Sequence, residues 1–463
     1  MLNNIYISIL FIIISNNMGF SKDFIEKQMY YKSQSSFFIY LNGNELGKHY
    51  LDYDYDSMQL DSAFNLKLNL SFQGIGKNKK SMVNLQYYGR LNNLQFYFEP
   101  IITNYENSEK VLGTNYSRNG ISGRVQESYL KITNPLYNIY FGRLPIKWGE
   151  SLFGSIVQSG LYPSYDNALI SFKLGKIKYE LLAGNLSSKK TEDGILIKRN
   201  ISGRRFTINF NNRYSISAGD QIIYTGENRQ LSIRYLNPFL PYFLTGLEDQ
   251  EKDSRFDNDN SMLFFHQRYM LSKGSSSIFN EFIIDDYQID ESGLQHAVGM
   301  KIGYDNILKI KSYNFLLVLE YTKISPLTYR HHGQFTSWQN LEHNIGFPFG
   351  GDIESFQFKI YAKNIKNKMM NLEIDYFFKG SSNTNSSWEW NDILYNKNES
   401  YKKYIFIKAG LTFIKKWGFI EIALKPINQL NSMIFDYNKL NKKNEITLNI
   451  VYRMEKSINI FKL

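Results

Sequence analysis

The feature that most constrains the fold is a strict alternation of apolar and polar residues. Between residues 64 and 72 the apolar positions are Phe64, Leu66, Leu68, Leu70 and Phe72, and a polar residue lies between each pair. A period of two is typical of a β-strand with one apolar and one polar face. The pattern recurs around residues 94–98, 231–235, 356–360, 372–378 and 446–454. The sequence therefore predicts an all-β protein.

The polar faces of these predicted strands carry charged side chains, among them Lys67, Glu99, Arg234, Lys359, Glu373, Asp375 and Arg453. The core of a β-sandwich does not accommodate so many charges within its strands. A transmembrane barrel accommodates both faces, because its outer side chains contact lipid and its inner ones line a polar lumen. At roughly 24 residues for each strand with its connection, the chain predicts one transmembrane antiparallel β-barrel of about 18 strands.

The composition excludes several kinds of site and partner. The chain contains no cysteine, so it has no disulfide, no thiolate zinc site and no cysteine nucleophile. Its net charge of +11 favours an anionic partner, although a general enrichment in Lys, Asn and Ile is an alternative explanation of the excess. No nucleic-acid-binding module is recognisable, so we expect no nucleic-acid partner.

The N-terminus has the pattern of a secretory signal peptide, which we assign to residues 1–21. A polar start precedes an apolar run from Ile5 to Ile14, and polar residues follow up to Gly19. An N-terminal membrane anchor is the alternative, although the apolar run is short for a bilayer. We assign residues 22–463 to an outer-membrane β-barrel, with room for a short periplasmic segment between Ser21 and Gln34.

Three long polar stretches interrupt the predicted strands: Thr245–Asn260, Ser325–Gly351 and Gly380–Ser400. Bacterial barrels have short periplasmic turns and longer external loops. We therefore expect these stretches at the cell surface of a protein located in the bacterial outer membrane.

Three ordered segments resemble the Wzi family of outer-membrane capsule-assembly proteins. They are Gly142–Leu186, which begins G-R-L-P-I-K-W-G-E-S; Asn237–Gln288, with N-P-F-L-P-Y and N-E-F-I-I-D-D-Y-Q; and His331–Asp352, with N-I-G-F-P-F-G-G-D. The resemblance implies a barrel of about eighteen strands that holds exported capsular polysaccharide on the cell surface without enzymatic activity. The chain departs from the family where W-G-P-G is expected, because Glu150 and Ser151 follow Trp148 and Gly149.

The residue types in these segments suit a carbohydrate ligand. Sugar rings pack on aromatic faces, and their hydroxyl and carboxylate groups pair with Arg and acidic side chains. The candidate polysaccharide-binding residues are Arg143, Trp148, Tyr165, Asp166, Arg204, Arg205, Arg234, Glu281 and Asp285. The alternative is structural: Trp148 as a residue of the interfacial girdle, and the arginines as partners of lumen acids.

Arginine is concentrated in one part of the chain. Arg204, Arg205, Arg213, Arg229 and Arg234 fall on consecutive predicted strands or their turns. We expect them to line one side of the lumen and to attract a polyanion. In the alternative interpretation they neutralise the acidic side chains of residues 281–286 across the lumen.

No catalytic pattern is specific. Asp285 and Asp286 point to opposite faces of an extended strand, whereas Glu281 and Asp285 share a face. The histidines His331, His332 and His343 lack a metal-ligand spacing. We therefore predict a non-enzymatic protein without cofactor or metal, a monomer whose partners are acidic or neutral extracellular polysaccharide and outer-membrane lipid. A porin-like channel for anionic solutes is the alternative, and an outer-membrane enzyme acting on lipid or glycan is a third class.

Overall fold

The computed structural model describes most of the chain between residues 64 and 458. The described residues are 64–75, 78–104, 117–151, 154–160, 163–211, 213–242, 244, 259–272, 276–286, 296–331, 334–341, 343–364, 368–380, 402–415, 418–426 and 444–458. The predicted signal peptide and the expected periplasmic segment at Ser21–Gln34 lie outside them.

The described residues form an almost entirely β structure, which confirms the predicted fold class at that level. The strands are β1 Phe64–Ile75, β2 Asn78–Leu91, β3 Leu94–Thr103, β4 Ser117–Arg118, β5 Ile121–Thr133, β6 Tyr137–Leu144, β7 Lys147–Trp148, β8 Gln158–Ser159, β9 Tyr165–Leu174, β10 Ile177–Lys190, β11 Leu196–Asn211, β12 Tyr214–Gly226, β13 Asp259–Ser272, β14 Ser276–Asp286, β15 Ala297–Ile310, β16 Tyr313–Ile324, β17 Gln339–Asn340, β18 His343–Asn344, β19 Ile353–Asn364, β20 Lys368–Lys379, β21 Lys402–Lys415, β22 Gly418–Pro426 and β23 Asn444–Ile458. Two short 3₁₀-helices span Ile233–Leu236 and Gln334–Thr336.

The long strands form one large antiparallel sheet in which neighbours in sequence pair with each other. Two pairs of two-residue strands, β7 with β8 and β17 with β18, stand apart from it. The first strand, β1, hydrogen-bonds along one edge to β2 and along the other to the last strand, β23. The strand predicted from residues 64–72 lies within β1.

Connections differ sharply between the two ends of the sheet. Because consecutive long strands are antiparallel, alternate connections lie at the same end. One end carries only connections of two or three residues: 92–93, 134–136, 175–176, 212–213, 273–275, 311–312, 365–367 and 416–417. The opposite end, hereafter the long-connection end, carries 104–120, 145–164, 227–258, 287–296, 325–352, 380–401 and 427–443, beside the short 76–77 and 191–195. Of the three stretches that the sequence predicts as external loops, Ser325–Gly351 is at this end; most of Thr245–Asn260 and of Gly380–Ser400 lies outside the described residues.

The two faces of the sheet differ in polarity in the opposite sense to a water-soluble protein, which buries apolar residues and exposes charged ones. The inner face, which the segments 145–164 and 325–352 cover, buries charged strand residues such as Lys301 and Glu320. The outer face exposes apolar strand residues: Leu130, Phe141, Phe172, Phe206, Leu263, Phe282, Ile302 and Phe356. Apolar side chains toward the surroundings and charges toward the interior are the pattern of a barrel wall in lipid.

The expected charged face is observed where side chains are described. Lys359 and Glu373 are buried neighbours on paired strands, with their charged atoms 3.7 Å apart. The side chains of Lys67 and Arg453 lie outside the described residues. None of the helices among the described residues has both the length and the apolar character to cross a membrane.

One predicted strand is wrong. Residues 231–235 alternate in polarity, yet the structure forms a 3₁₀-helix at Ile233–Leu236. Pro238 and Pro241 follow directly. Proline lacks the N–H that a central strand donates to its neighbour, so the alternation in this segment does not continue into a sheet.

Candidate functional site

Two segments of the long-connection end cover the inner face of the sheet. The first inner segment is residues 145–164 and the second is residues 325–352. Their buried apolar side chains form one cluster with strand residues: Trp148, Ile156, Val157, Tyr329, Trp338, Ile345 and Phe347. The segments also bond to each other, because Ser159 N–H donates to Ile345 O at 2.9 Å and the Tyr329 hydroxyl to Ile156 O at 2.5 Å. They therefore form a single packed unit within the described residues.

Glu281 holds the first inner segment. Its carboxylate accepts hydrogen bonds from Glu150 N at 2.6 Å, Ser151 N at 2.7 Å, Ile156 N at 2.8 Å and Ser155 Oγ at 2.9 Å. Bonds of this kind to an ionised acceptor are about twice as strong as neutral ones. This strand carboxylate thus satisfies the polar backbone of a segment that turns away from solvent.

A glycine permits this close approach. Gly149 has φ of 137°, and an added Cβ would lie 2.7 Å from Glu281 Oε1. Both the positive φ and the crowding require glycine. In the W-G-E-S sequence, glycine thus allows the chain to bend onto Glu281.

Asp285 holds the second inner segment. Its two carboxylate oxygens accept from Tyr329 N–H and from Trp338 Nε1–H, both at 2.7 Å. As the sequence predicts, Glu281 and Asp285 share a face of β14, together with Ile283. They bind different segments, so the pair acts as two anchors.

Arg199 is a third anchor. Its guanidinium, buried on the inner face, donates to the backbone oxygens of Phe335 at 2.5 Å, Ser337 at 2.6 Å and Gln339 at 3.0 Å. It also donates to Ser187 O at 3.2 Å on the neighbouring strand. The guanidinium has five N–H donors in a rigid fork, so one side chain can bond several carbonyl oxygens at once.

A buried ion pair on the inner face of the sheet contacts the first inner segment. Lys301 Nζ lies 2.9 Å from Glu320 Oε2, and both side chains are fully buried. Ser151 Oγ donates to the same carboxylate at 2.8 Å, and Lys301 donates to Gly154 O at 2.7 Å. The donors around the two charges compensate for their removal from water.

Glu150 connects the first inner segment to β13. Its carboxylate contacts His266 Nδ1 at 3.0 Å and Arg268 Nε at 2.7 Å, and Arg268 also pairs with Asp305 at 2.7 Å. Burial alone would raise the pKa of Glu150, but the bonds and charges of His266 and Arg268 outweigh it and hold that pKa well below its usual range. Glu150 is therefore ionised at neutral pH.

Arg205 and Trp148 pack together on the inner face. Arg205 pairs with Glu180, and its guanidinium carbon lies 5.6 Å from the centre of the Trp148 ring. Gly203 leaves room for that ring, because an added Cβ would lie 2.7 Å from it. Tyr165 is buried nearby, with its hydroxyl 3.2 Å from the Gln158 side chain.

Arg204 lies on the outer face, opposite to Arg205. It makes a two-point ion pair with Asp220, at 2.5 and 2.7 Å. Residues 229–242, which we name the outer clasp, cover this pair: Tyr242 N–H donates to Asp220 at 3.0 Å, and the Tyr242 ring lies 4.6 Å from the Arg204 guanidinium. Arg234 is an exposed residue of the outer clasp.

Arg143 and Asp166 also lie on the outer face, at the long-connection end. Their side chains form a two-point pair with both distances 2.9 Å. These side chains are 30% and 61% exposed, so the pair is open to solvent. It lies where β6 ends and β9 begins.

The candidate ligand residues are therefore divided between the two sides of the sheet. The inner face holds Trp148, Tyr165, Arg205, Glu281 and Asp285, and the outer side holds Arg143, Asp166, Arg204 and Arg234. The expectation that Arg204 and Arg205 line one side of the lumen is wrong, because adjacent strand residues point to opposite faces. The alternative partners were also misassigned: Arg204 pairs with Asp220 and Arg205 with Glu180. Polysaccharide binding by these residues stays a prediction.

The sequence analysis missed several residues that build the inner unit, notably Ser151, Ser155, Arg199, Lys301, Glu320 and Trp338. The available signal was a charged residue within an otherwise apolar strand, as for Lys301 and Glu320. Their partners lie far away in sequence, for example 169 residues for Ser151 and Glu320, so spacing does not reveal them. The described residues contain no cluster of three or more His, Asp or Glu side chains suited to a metal ion.

Comparison with known proteins adds a likeness of fold. No family model and no curated protein sequence matches this chain. A solved structure of Wzi, described as an outer membrane protein involved in group 1 capsule assembly in Escherichia coli and a carbohydrate-binding β-barrel, is similar at a TM-score of 0.60. The identity is 13%, over 89% of this chain and 88% of that one.

Other solved structures are similar at lower scores. OccAB4 of Acinetobacter baumannii has a TM-score of 0.46 and 9% identity, over 86% of this chain and 100% of that one. OccD1, also called OprD, in a doubly substituted form, has a TM-score of 0.46 and 8% identity, over 86% and 96%. The likeness to the Wzi structure, at a TM-score of 0.60, shows a Wzi-like outer-membrane β-barrel fold.

Proposed function

We infer that the sheet closes into a barrel of eighteen strands that spans the bacterial outer membrane. Support comes from the eighteen described strands of eight or more residues, each of which pairs with two others, and from the pairing of β1 with β23. The exposed apolar outer face and the short turns at one end are further support. In this arrangement the long-connection end faces the outside of the cell.

We propose that the protein binds an extracellular, capsule-type polysaccharide at that end without chemically changing it. The single observation that carries the proposal is the packed inner unit, in which both inner segments are anchored to carboxylates of the barrel wall. A unit held by so many directed bonds fills the mouth of the barrel with a rigid surface. A rigid surface is suited to a large ligand that stays outside.

The exposed part of the proposed site includes Arg143 and Asp166. Both lie at the rim and remain accessible, whereas Glu281, Asp285 and Arg205 are occupied by neighbouring groups. Uronate carboxylates of an acidic polysaccharide would pair with Arg143, and sugar hydroxyls would donate to Asp166. The buried charges then serve as the scaffold of the surface.

The proposal is tested by retention of purified acidic capsular polysaccharide on the immobilised full-length protein in detergent. We expect retention by the unsubstituted protein and weaker retention by Arg143→Gln. Lys176→Gln is the matched control, since Lys176 is an exposed cation in the turn 175–176 at the opposite end. Absence of retention by the unsubstituted protein contradicts the function, and equal retention by Arg143→Gln contradicts this part of the site.

Conductance distinguishes this function from the porin-like alternative. With the inner unit in place, we expect the protein to insert into planar bilayers without steady ion currents. Persistent open currents with a preference for anions would instead support the channel.

A further inference from the structure

The outer clasp has a polar underside that is tightly bonded to the wall. Tyr235 Oη donates to Asp259 at 2.6 Å, and Arg229 pairs with the same carboxylate at 3.2 Å. The Tyr179 hydroxyl donates to Pro238 O at 2.8 Å. The outer clasp is therefore packed against the outer face of the sheet. One of its sides contacts the wall, and the other side points away from it.

The opposite side of the clasp is apolar and strongly exposed. Phe239 is 88% exposed and Ile233 is 84% exposed. Further exposed apolar residues of the clasp are Leu231, Leu236 and Leu240. Exposure of such a cluster to water is unfavourable, because apolar area gains free energy on leaving water. An apolar medium is therefore the environment that this side fits.

The clasp lies beside the part of the wall that is itself exposed and apolar. Asp220, which the clasp covers, pairs across strands with Leu263, and Leu263 is exposed on the same face. Phe206 and Phe265 extend this apolar surface. The apolar side of the clasp thus continues a surface that, in a membrane barrel, contacts lipid.

The backbone of the clasp is adapted to a place with little water. Pro238 and Pro241 have no N–H to satisfy, and the N–H of Phe239 donates to Asn237 Oδ1 at 3.0 Å. Irregular backbone is not tolerated in the hydrocarbon centre of a bilayer unless protein covers it. The wall supplies this cover on the underside of the clasp, where Tyr242 N–H donates to Asp220 and Pro238 O accepts from the Tyr179 hydroxyl.

We propose that the outer clasp presents Phe239, Ile233 and their apolar neighbours to the acyl chains of the membrane, and that its underside keeps lipid away from the Arg204–Asp220 ion pair. The partner is the acyl region of membrane lipid. A bare ion pair facing hydrocarbon is costly, and the clasp replaces that contact with Tyr242 and backbone donors. This inference rests on the proposed outer-membrane location.

The test is quenching of single introduced tryptophans by phosphatidylcholine brominated at known acyl positions, with the full-length protein in liposomes. Phe239→Trp reports on the clasp, Phe282→Trp on the exposed wall of β14, and Glu192→Trp on the exposed turn 191–195. The fluorescence emission of the five native tryptophans is measured in the unsubstituted protein and subtracted from that of each variant. Both Phe replacements preserve an aromatic side chain on the surface.

We expect the added emission of Phe239→Trp to be quenched by the brominated acyl chains, as that of Phe282→Trp is, while that of Glu192→Trp is unaffected. If Phe282→Trp is quenched and Phe239→Trp behaves like Glu192→Trp, water, a second copy or another protein covers the clasp, and this inference is overturned alone. If neither Phe282→Trp nor Phe239→Trp is quenched, the membrane location itself fails, and the inference fails with it.

Discussion

At the scale of residues, neighbouring arginines have separate roles because the strand directs them to opposite faces. Arg204 is held on the outer face by Asp220 under the clasp, and Arg205 is held on the inner face by Glu180 beside Trp148. Arg143 and Asp166 form a similar pair on the outer face, but that pair is open to solvent. Burial, more than residue type, distinguishes a structural pair from an accessible one.

Loss of Arg204 should destabilise the protein strongly. Arg204→Ala leaves Asp220 covered and unpaired, so we expect the free energy of unfolding to fall by about 3–5 kcal/mol. Urea unfolding of the reconstituted protein measures this change.

Arg143→Ala is the matched comparison for Arg204→Ala. It removes the arginine of a similar ion pair, but there water can solvate the remaining carboxylate of Asp166. We expect a loss of at most about 1 kcal/mol there. Equal losses in the two variants would show that the clasp does not shield the Arg204–Asp220 pair.

Glu150 should make stability depend on pH in the acid range. Because its pKa in the folded protein is held below the ordinary 4.5, its stabilising contribution is complete above that value and is lost as the pH falls toward the folded pKa. The difference in unfolding free energy between the unsubstituted protein and Glu150→Gln should therefore shrink progressively below pH 4.5. A difference that stays constant with pH would contradict the assigned interaction with His266 and Arg268.

At the scale of elements, β14 organises the inner unit. Its residues Glu281 and Asp285 are two positions of one strand face, and each accepts hydrogen bonds from a different inner segment. Two connections that leave the sheet far apart in sequence are thereby brought onto the same strand. The inner unit depends on this strand as much as on its own side chains.

Glu281→Gln should loosen the first inner segment. The amide nitrogen of glutamine meets backbone N–H groups where an oxygen accepted them, which leaves buried donors unpaired at a cost of about 1–3 kcal/mol each. We expect ion currents in planar bilayers that the unsubstituted protein lacks.

Glu354→Gln is the control for Glu281→Gln, since Glu354 accepts a hydrogen bond from Tyr321 and its side chain lies on the outer face of the same sheet. Glu354→Gln should show no steady ion currents in planar bilayers. Silence of both variants would mean that Glu281 does not hold the mouth of the barrel closed.

At the scale of the whole molecule, the distribution of connections predicts how the proposed barrel is oriented in the membrane. One end has only connections of two or three residues, and all the long connections, with the inner segments, belong to the other. Both the start of β1 and the end of β23 are at the end with short turns. This asymmetry is the one expected when the short turns face the periplasm.

Labelling of introduced cysteines tests this orientation, and the chain contains no native cysteine that would interfere. Glu192→Cys, at the long-connection end, should react with a membrane-impermeant maleimide on intact cells. Lys176→Cys, at the opposite end, should react only after the outer membrane is permeabilised. Labelling of Lys176→Cys alone on intact cells would reverse the orientation.

The sequence by itself determined the all-β class, because alternation with a period of two is a local property of each strand. It also determined which residues share a face, as with Glu281 and Asp285. It misjudged residues 231–235, where local alternation was present but two prolines prevented pairing.

Only the tertiary structure decided which charges are free for a ligand. Glu281 and Asp285 are occupied by segments more than 40 residues away, at separations such as 130 and 53 positions. Contacts between distant parts of the chain decide which face of the sheet the inner segments cover and which face the outer clasp covers. A local sequence pattern does not predict contacts between distant residues. For this reason the candidate ligand residues, chosen from local patterns, lie on both faces of the sheet.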